Sequence, residues 1–173
     1  MTFKTLTTRV LAAACTGGLA LVALGAAVPA SADPGHTVTL TEHQHGTWTE
    51  TGDTDFCTGE TISPTITGNS VMHVTYFPGG DEVWGTFTTE GQGSFLQPSS
   101  GLEYSGRVTV WGNFNVNEQN SNQTFTASFK LSAVDASGVT HQETGHSVMH
   151  VGYNAADPSQ PVVWFDHSSA TCS

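Results

Sequence analysis

Eight histidines give this chain its widest chemical range, because imidazole can bind a metal or transfer a proton near neutral pH. His43 and His45 are two positions apart in a segment predicted as a β-strand, so both rings project from one face and could bind a metal together with a third ligand from a neighbouring strand. That face also carries Thr39, Thr41 and Thr47, a polar stripe typical of a solvated exterior. The sequence therefore predicts no metal site. If a metal does bind, His43 and His45 are its candidate ligands.

His141 and Glu143 are the candidate catalytic pair. If the predicted strand 139–153 alternates strictly, they lie on the same face as Met149, which is expected to point inward. A histidine and a carboxylate in an apolar interior would have shifted pKa values and could act as a general base and its partner. Gly145 keeps a second interpretation open, because a glycine within a strand often marks a bulge that would move the pair to the outside.

Other catalytic signatures do not fit. The segments 68–70 and 145–147 begin like nucleophile elbows, but they lack the glycine two residues after the serine and precede no predicted helix. Asp53-Thr54-Asp55 resembles the start of a calcium loop, but Gly59 is misplaced and Pro64 occupies the position of the bidentate glutamate. No phosphate-binding loop or dinucleotide motif occurs, so no cofactor is predicted.

Aromatic residues suggest a binding function. Four tryptophans fall in four different predicted strands, and a ring of such side chains could hold a small apolar or sugar-like ligand. The candidate ligand-binding residues are Trp48, Trp84, Trp111, Trp164, Tyr76 and Tyr153. Filling a core is the commoner use of tryptophan, and this alternative stays open.

The N-terminal segment has the pattern of a secretory signal peptide. Lys4 and Arg9 precede an apolar run at 10–28, and Ala30-Ser31-Ala32 is a small-residue cleavage site. We therefore expect residues 1–32 to be removed and residues 33–173 to form one secreted, extracellular domain. No later segment is apolar and long enough to predict a membrane span.

The charge balance limits the partners. The whole chain has a formal charge of −11, and loss of Lys4 and Arg9 leaves only Arg107 and Lys130 against fifteen acidic residues, a formal charge of −13. Such a chain is expected not to bind nucleic acid or an anionic membrane surface, and to stay monomeric through self-repulsion.

Two of the three cysteines follow the predicted signal peptide. Cys57 and Cys172 form an even pair in an oxidising compartment, which predicts a disulfide. Free or metal-bound thiols are the alternative, but the two cysteines lack a Cys-x-x-Cys spacing. Cys15 lies within the predicted signal peptide and lacks the aliphatic residue of a lipidation site.

Alternation of apolar and polar residues, separated by turn-forming clusters, predicts an all-β domain with antiparallel strands. The predicted strands are 36–48, 61–67, 70–77, 82–90, 104–115, 122–134, 139–153 and 161–167. The segment 68–76 recurs at 145–153 with seven of nine residues identical, which predicts two similar hairpins. Closure into a single barrel of about eight strands would remove exposed edges, and a sandwich of two sheets is the alternative.

The order of these pieces resembles a family of small exported actinobacterial proteins that are predicted to be lipocalin-like or cyclase-like β-barrels and have no established activity. The matching pieces are Cys57-Thr58-Gly59, Met72-His73-Val74, Tyr104-Ser105-Gly106-Arg107 with Trp111-Gly112, residues 117–121, and Phe165-Asp166 through Cys172. The resemblance implies a fold and a location, and it assigns no site residue.

These observations favour a secreted, non-enzymatic β-barrel that binds a small apolar or sugar-like ligand or acts at the cell envelope. The interior of an eight-stranded barrel is either filled by side chains or just wide enough for one small ligand. Two alternatives remain open. One is a cofactor-free isomerase or cyclase that uses His141 and Glu143, and the other is a passive acidic extracellular protein.

Overall fold

The computed structural model describes residues 36–79, 81–154 and 157–173, with the backbone alone at 157–160. The predicted signal peptide at 1–32 lies outside the described residues. Within the described ranges, no helix is long and apolar enough to cross a bilayer.

Strands account for most of the described chain. They are β1 (Val38–Thr49), β2 (Asp53–Thr54), β3 (Thr61–Ile62), β4 (Thr65–Tyr76), β5 (Glu82–Leu96), β6 (Glu103–Asn117), β7 (Asn120–Val134), β8 (Thr140–Asn154) and β9 (Asp157–Cys172). Alternating polarity explains them: in β7, Phe125 and Leu131 are buried while Lys130 is exposed. The all-β, antiparallel prediction is confirmed.

The long strands form one antiparallel sheet in the order β1-β4-β5-β6-β7-β8-β9, and β2 and β3 form a separate two-stranded sheet. The closed barrel that the sequence predicts is not observed, because β1 and β9 are the two edges of the described sheet. Alternation specifies which side chains face inward, but closure also requires a matching tilt and stagger of the strands. A sandwich is not observed either, since the second sheet has only two short strands.

The main sheet is strongly curved. Phe87 in β5 and Phe125 in β7 are both register partners of Gly112 in the intervening β6, yet their ring centroids are only 5.7 Å apart. A side chain at Gly112 would lie 2.8 Å from the ring of Phe87, so the glycine makes room for the two rings to meet. We call the concave face that carries these rings the inner face, and the opposite face the outer face.

The small β2–β3 sheet covers one end of the inner face. Ile62 in β3 is buried in an apolar cluster on that face, and the disulfide between Cys57 and Cys172 joins the β2–β3 loop to the end of β9. The other buried members of the cluster are Phe95, Tyr104, Leu131 and Ala133. The predicted disulfide is therefore present, with Cα atoms 5.9 Å apart. It spans 115 residues, and a loop of that size stabilises the fold by up to about 4.7 kcal/mol on the chain-entropy model.

Strand boundaries differ from the prediction mainly around Gly68. The sequence predicts separate strands at 61–67 and 70–77, whereas the structure has one long strand at Thr65–Tyr76. Gly68 does not turn the chain. It faces Gly91 of β5, and a Cβ at Gly68 would overlap the carbonyl oxygen of Glu90. The glycine is required by the close approach of two backbones.

Candidate functional site

A groove of about 490 Å³ crosses the outer face from β4 to β8. We call it the outer groove. Its outward-pointing lining residues are His73, Thr75, Trp84, Thr86, Asn113, Asn115, Asn122, Thr124 and His150. They form two cross-strand rows, because adjacent strands place their register partners side by side. One row runs from His73 to His150, and the neighbouring row runs from Thr75 to Asn122.

Trp84 is the exposed aromatic side chain of the outer groove. It is 51% exposed, yet its orientation is fixed by two contacts. The indole Nε1 donates to Oε1 of Glu82 at 2.7 Å, and the ring of Phe77 packs edge-on against it with centroids 5.0 Å apart. An exposed aromatic ring held in this way loses little entropy when a ligand packs on it.

The two copies of the sequence repeat place their histidines at opposite ends of the outer groove. His73 in β4 shares a hydrogen bond between its Nδ1 and Oγ1 of Thr41, at 2.8 Å. His150 in β8 repeats the arrangement with Oγ1 of Thr124, also at 2.8 Å. Because Nδ1 is engaged in both rings, Nε2 is the nitrogen that a ligand would meet.

The amides of the outer groove are not all satisfied. Oδ1 of Asn115 is buried and has no hydrogen-bond partner among the described residues. A buried acceptor without a donor costs about 1–3 kcal/mol. A ligand hydroxyl recovers this cost only if the Asn115 side chain rotates to bring its amide into the groove. Asn122 lies beside it in β7, and Gly152 provides its space, because a Cβ at that glycine would lie 2.7 Å from Oδ1 of Asn122.

A second groove of about 430 Å³ lies on the outer face and extends from β6 to β9. We call it the cationic groove, because Arg107 and Lys130 both line it. They are register partners on adjacent strands, so their side chains leave the sheet next to each other. His146 also lines this groove, and its Nδ1 lies 3.0 Å from Oγ of Ser128.

A third group of polar residues lies at the disulfide end of the inner face. Asp55 is 2% exposed, and its carboxylate accepts hydrogen bonds from the backbone N–H groups of Cys57 (2.7 Å) and Thr58 (3.2 Å) and from Nε2 of Gln97 (3.0 Å). Glu143 is 3% exposed and close by, but its Oε1 has no hydrogen-bond partner in the described part of the chain.

Burial and nearby carboxylates change the ionisation of Glu143 and Tyr104. Burial, and secondarily the charge of Asp55, raises the pKa of Glu143 to about 7. Burial and the same two carboxyl groups also raise the pKa of Tyr104. Donor atoms of Asp55, Cys57 and Glu143 lie within 4.8 Å of one another, but the sulfur of Cys57 is in the disulfide and offers no thiolate to a metal.

The candidate catalytic pair is not joined in the structure. His141 and Glu143 share the inner face, because the β7–β8 register runs through Gly145 without a bulge. However, Nε2 of His141 binds Oδ2 of Asp135 at 3.1 Å, whereas Glu143 lies next to Asp55. Neither member of the pair lines the outer or the cationic groove.

The candidate metal ligands lie on the exposed outer face of β1, as their neighbouring threonines suggest. Nδ1 of His45 is 2.9 Å from Oδ1 of Asn69, and His43 is the register partner of Val71. In the described residues, neither histidine belongs to a group of three possible ligands.

The structure separates the aromatic candidates. By strand alternation, Trp84 and Trp111 point to the outer face, while Trp48 and Trp164 belong to the inner face at opposite edges of the sheet. Tyr76 and Tyr153 are half-buried at the ends of β4 and β8. Of the six aromatic candidates, only Trp84 lines the outer groove.

Comparison with known proteins gives no relative from which a site could be carried over. No family model, curated protein or solved structure matches the chain. A function must therefore be inferred from the geometry of the described residues alone.

Proposed function

We propose that the protein is a non-enzymatic, extracellular binding protein whose ligand is sugar-like and occupies the outer groove. The observation that carries this proposal is the fixed, exposed indole of Trp84 beside the amides of Asn115 and Asn122. The apolar face of a sugar ring packs on an aromatic ring, and its hydroxyl groups need donors and acceptors at the rim. An apolar ligand would leave these amides unpaired, so the polar lining favours a sugar over a lipid.

The extracellular location is supported by the disulfide and by the signal-peptide pattern at 1–32. A lipocalin-like or cyclase-like barrel would hold its ligand inside, whereas binding in the outer groove does not depend on closure of the sheet. The isomerase or cyclase alternative needs a substrate to reach Glu143. Because Glu143 is buried and lines neither groove, the geometry favours binding on the outer face.

The test is a glycan array probed with the purified protein, followed by titration of each hit with calorimetry. We expect Trp84→Ala to weaken binding at least tenfold, because truncating a tryptophan that anchors an interface costs about 2 kcal/mol. Trp84→Phe keeps a ring and should retain part of the affinity.

Trp164→Ala is the matched control. Trp164 is 43% exposed, similar to Trp84, but it belongs to the inner face. The Trp164→Ala variant should bind the glycan as tightly as the wild type does. Loss of binding in Trp164→Ala with normal binding in Trp84→Ala would place the ligand on the inner face and contradict the proposal.

A further inference from the structure

The cationic groove holds both arginine and lysine side chains of the described part of the chain. Arg107 and Lys130 are the only lysine or arginine residues in the described part of a chain with fifteen acidic residues. They are nevertheless register partners, an arrangement in which like charges repel. Acidic partners are abundant, but the one ion pair at this place is a loose contact of 3.6 Å between Arg107 and the exposed Glu90.

Lys130 forms no ion pair with any described acidic side chain. The exposed contact between Arg107 and Glu90 relieves the repulsion between the two cations only in part, and an anionic ligand group that binds both cations would relieve the rest. Hydroxyl groups of Thr109, Thr144 and Ser169 line the same groove and could hold the remaining oxygens of such a group.

The cationic groove and the outer groove follow one another along the strands of the outer face. In β6, Asn113 lines the outer groove and Thr109 lines the cationic groove, and the exposed Trp111 lies between them on the same face. From Asn113 to Arg107 the strand covers about 20 Å at its usual rise per residue. A ligand that contacts both grooves must therefore be a chain of several sugar units that passes over Trp111.

We propose that the ligand is a sparsely charged acidic polysaccharide that lies along the outer face, with one carboxylate held by Arg107 and Lys130. This inference rests on the proposed function of the outer groove. Two cations can neutralise one or two anionic groups only. A densely charged polymer would meet the net negative charge of the rest of the protein and is not expected to bind.

The test uses the same glycan array, with each acidic hit compared with its methyl ester. Esterification removes the carboxylate charge and keeps the sugar chain. We expect esterification to weaken binding of the wild type at least tenfold, and the double variant Arg107→Gln, Lys130→Gln to bind the acid and the ester equally. Binding of the acid should also weaken as salt is added, since the contact is exposed.

The double variant makes the protein more negative by two charges, so a matched control is needed. Thr51→Glu with Leu96→Glu makes the same change in charge at exposed positions outside both grooves. This control should still prefer the acid over its ester. If it loses the preference as fully as the double variant does, net charge and not the cationic groove explains the effect, and the inference is overturned.

The remaining outcomes separate the two proposals. Binding of neutral glycans alone, lost in Trp84→Ala, would overturn this inference and leave the proposed function intact. Equal binding of acids and esters by the wild type would do the same. Binding of no glycan at all would overturn both.

Discussion

At the scale of single residues, Glu143 has the least favourable surroundings for an ionised side chain. It is buried beside Asp55, and both described cations lie on the outer face, away from it. Desolvation and the like charge both favour the protonated form, which is why its pKa rises to about 7. Ionisation of Glu143 therefore lowers the free energy of unfolding at neutral and alkaline pH.

This cost predicts a pH-dependent stability. The folded pKa of about 7 lies above the ordinary value of 4.5, so in that interval the folded state binds more protons than the unfolded state. The contribution of Glu143 is fully favourable below the ordinary pKa and is lost as the pH rises through about 7. Glu143→Gln removes the ionisation, and we expect this variant to be more stable than the wild type by about 2 kcal/mol in alkaline solution.

The measurement is the free energy of unfolding in urea at a series of pH values, for the wild type, Glu143→Gln and the control Glu103→Gln. Glu103 is exposed at the start of β6, and its variant should follow the wild type. Burial also raises the pKa of Asp53, to about 6, but that group is present in all three proteins and cancels in the comparison. A constant difference between Glu143→Gln and the wild type across the series would show that Glu143 is not the titrating group.

The sequence identifies some site residues and misses others for a physical reason. Trp84 is a candidate from its residue type alone, whereas His73 and His150 are matched by the repeat but are not predicted as site residues. Asn115 and Asn122 are missed, because their proximity depends on the register between β6 and β7, which the sequence does not specify. Asp55 is missed as a buried acid for the same reason: its burial comes from Gln97 and other residues distant in the chain.

At the scale of the element, glycines in the strands decide where the sheet can bend. Gly46, Gly68 and Gly91 are successive register partners across β1, β4 and β5. The space that an added Cβ would find differs between Gly68 and Gly46. A Cβ at Gly68 would lie 2.6 Å from Cα of Gly91, whereas a Cβ at Gly46 would meet only the side chain of Trp48 at 3.5 Å.

The pair Gly68→Ala and Gly46→Ala therefore tests the close backbone approach. We expect Gly68→Ala to lose at least about 2 kcal/mol of stability, because the clash is with backbone atoms that cannot rotate away. Gly46→Ala should change stability by less than about 1 kcal/mol, since it only removes the flexibility of glycine in a strand. Urea denaturation of both variants gives the comparison, and equal stabilities would refute the close contact between β4 and β5.

Most strands could be predicted, because half-buried sheet has a period of two that local sequence preserves. The turns at Gly79 and Gly138 could be predicted as well, because these glycines follow proline or serine in polar clusters. In the structure both glycines have the positive φ that such turns favour. The single strand Thr65–Tyr76 was not predicted, because Gly68-Asn69 has the composition of a turn. Gly68 is needed for a reason outside its own segment, because the backbone of β5 lies so close that only a glycine fits at this position.

At the scale of the whole molecule, an open sheet edge and a large net charge act against each other. β9 is an edge strand with a run of exposed apolar residues. They are Val162 (65% exposed), Val163 (48%), Trp164 (43%) and Phe165 (53%). Such an edge can pair with a second copy, but the formal charge of −13 in the predicted secreted chain keeps copies apart. Salt screens the repulsion between copies and leaves apolar contacts intact, so rising ionic strength should favour association over the monomer.

We therefore expect the protein to be monomeric at low ionic strength and its mean mass, measured by light scattering, to rise with salt. Val163→Lys places a charge on the edge and should keep the protein monomeric. Val139→Lys makes the same substitution at an exposed turn residue away from the edge, and it should associate like the wild type. If both variants associate equally, the edge is not the contact. If the wild type stays monomeric at every salt concentration, the exposed edge of β9 does not drive association and the prediction is wrong.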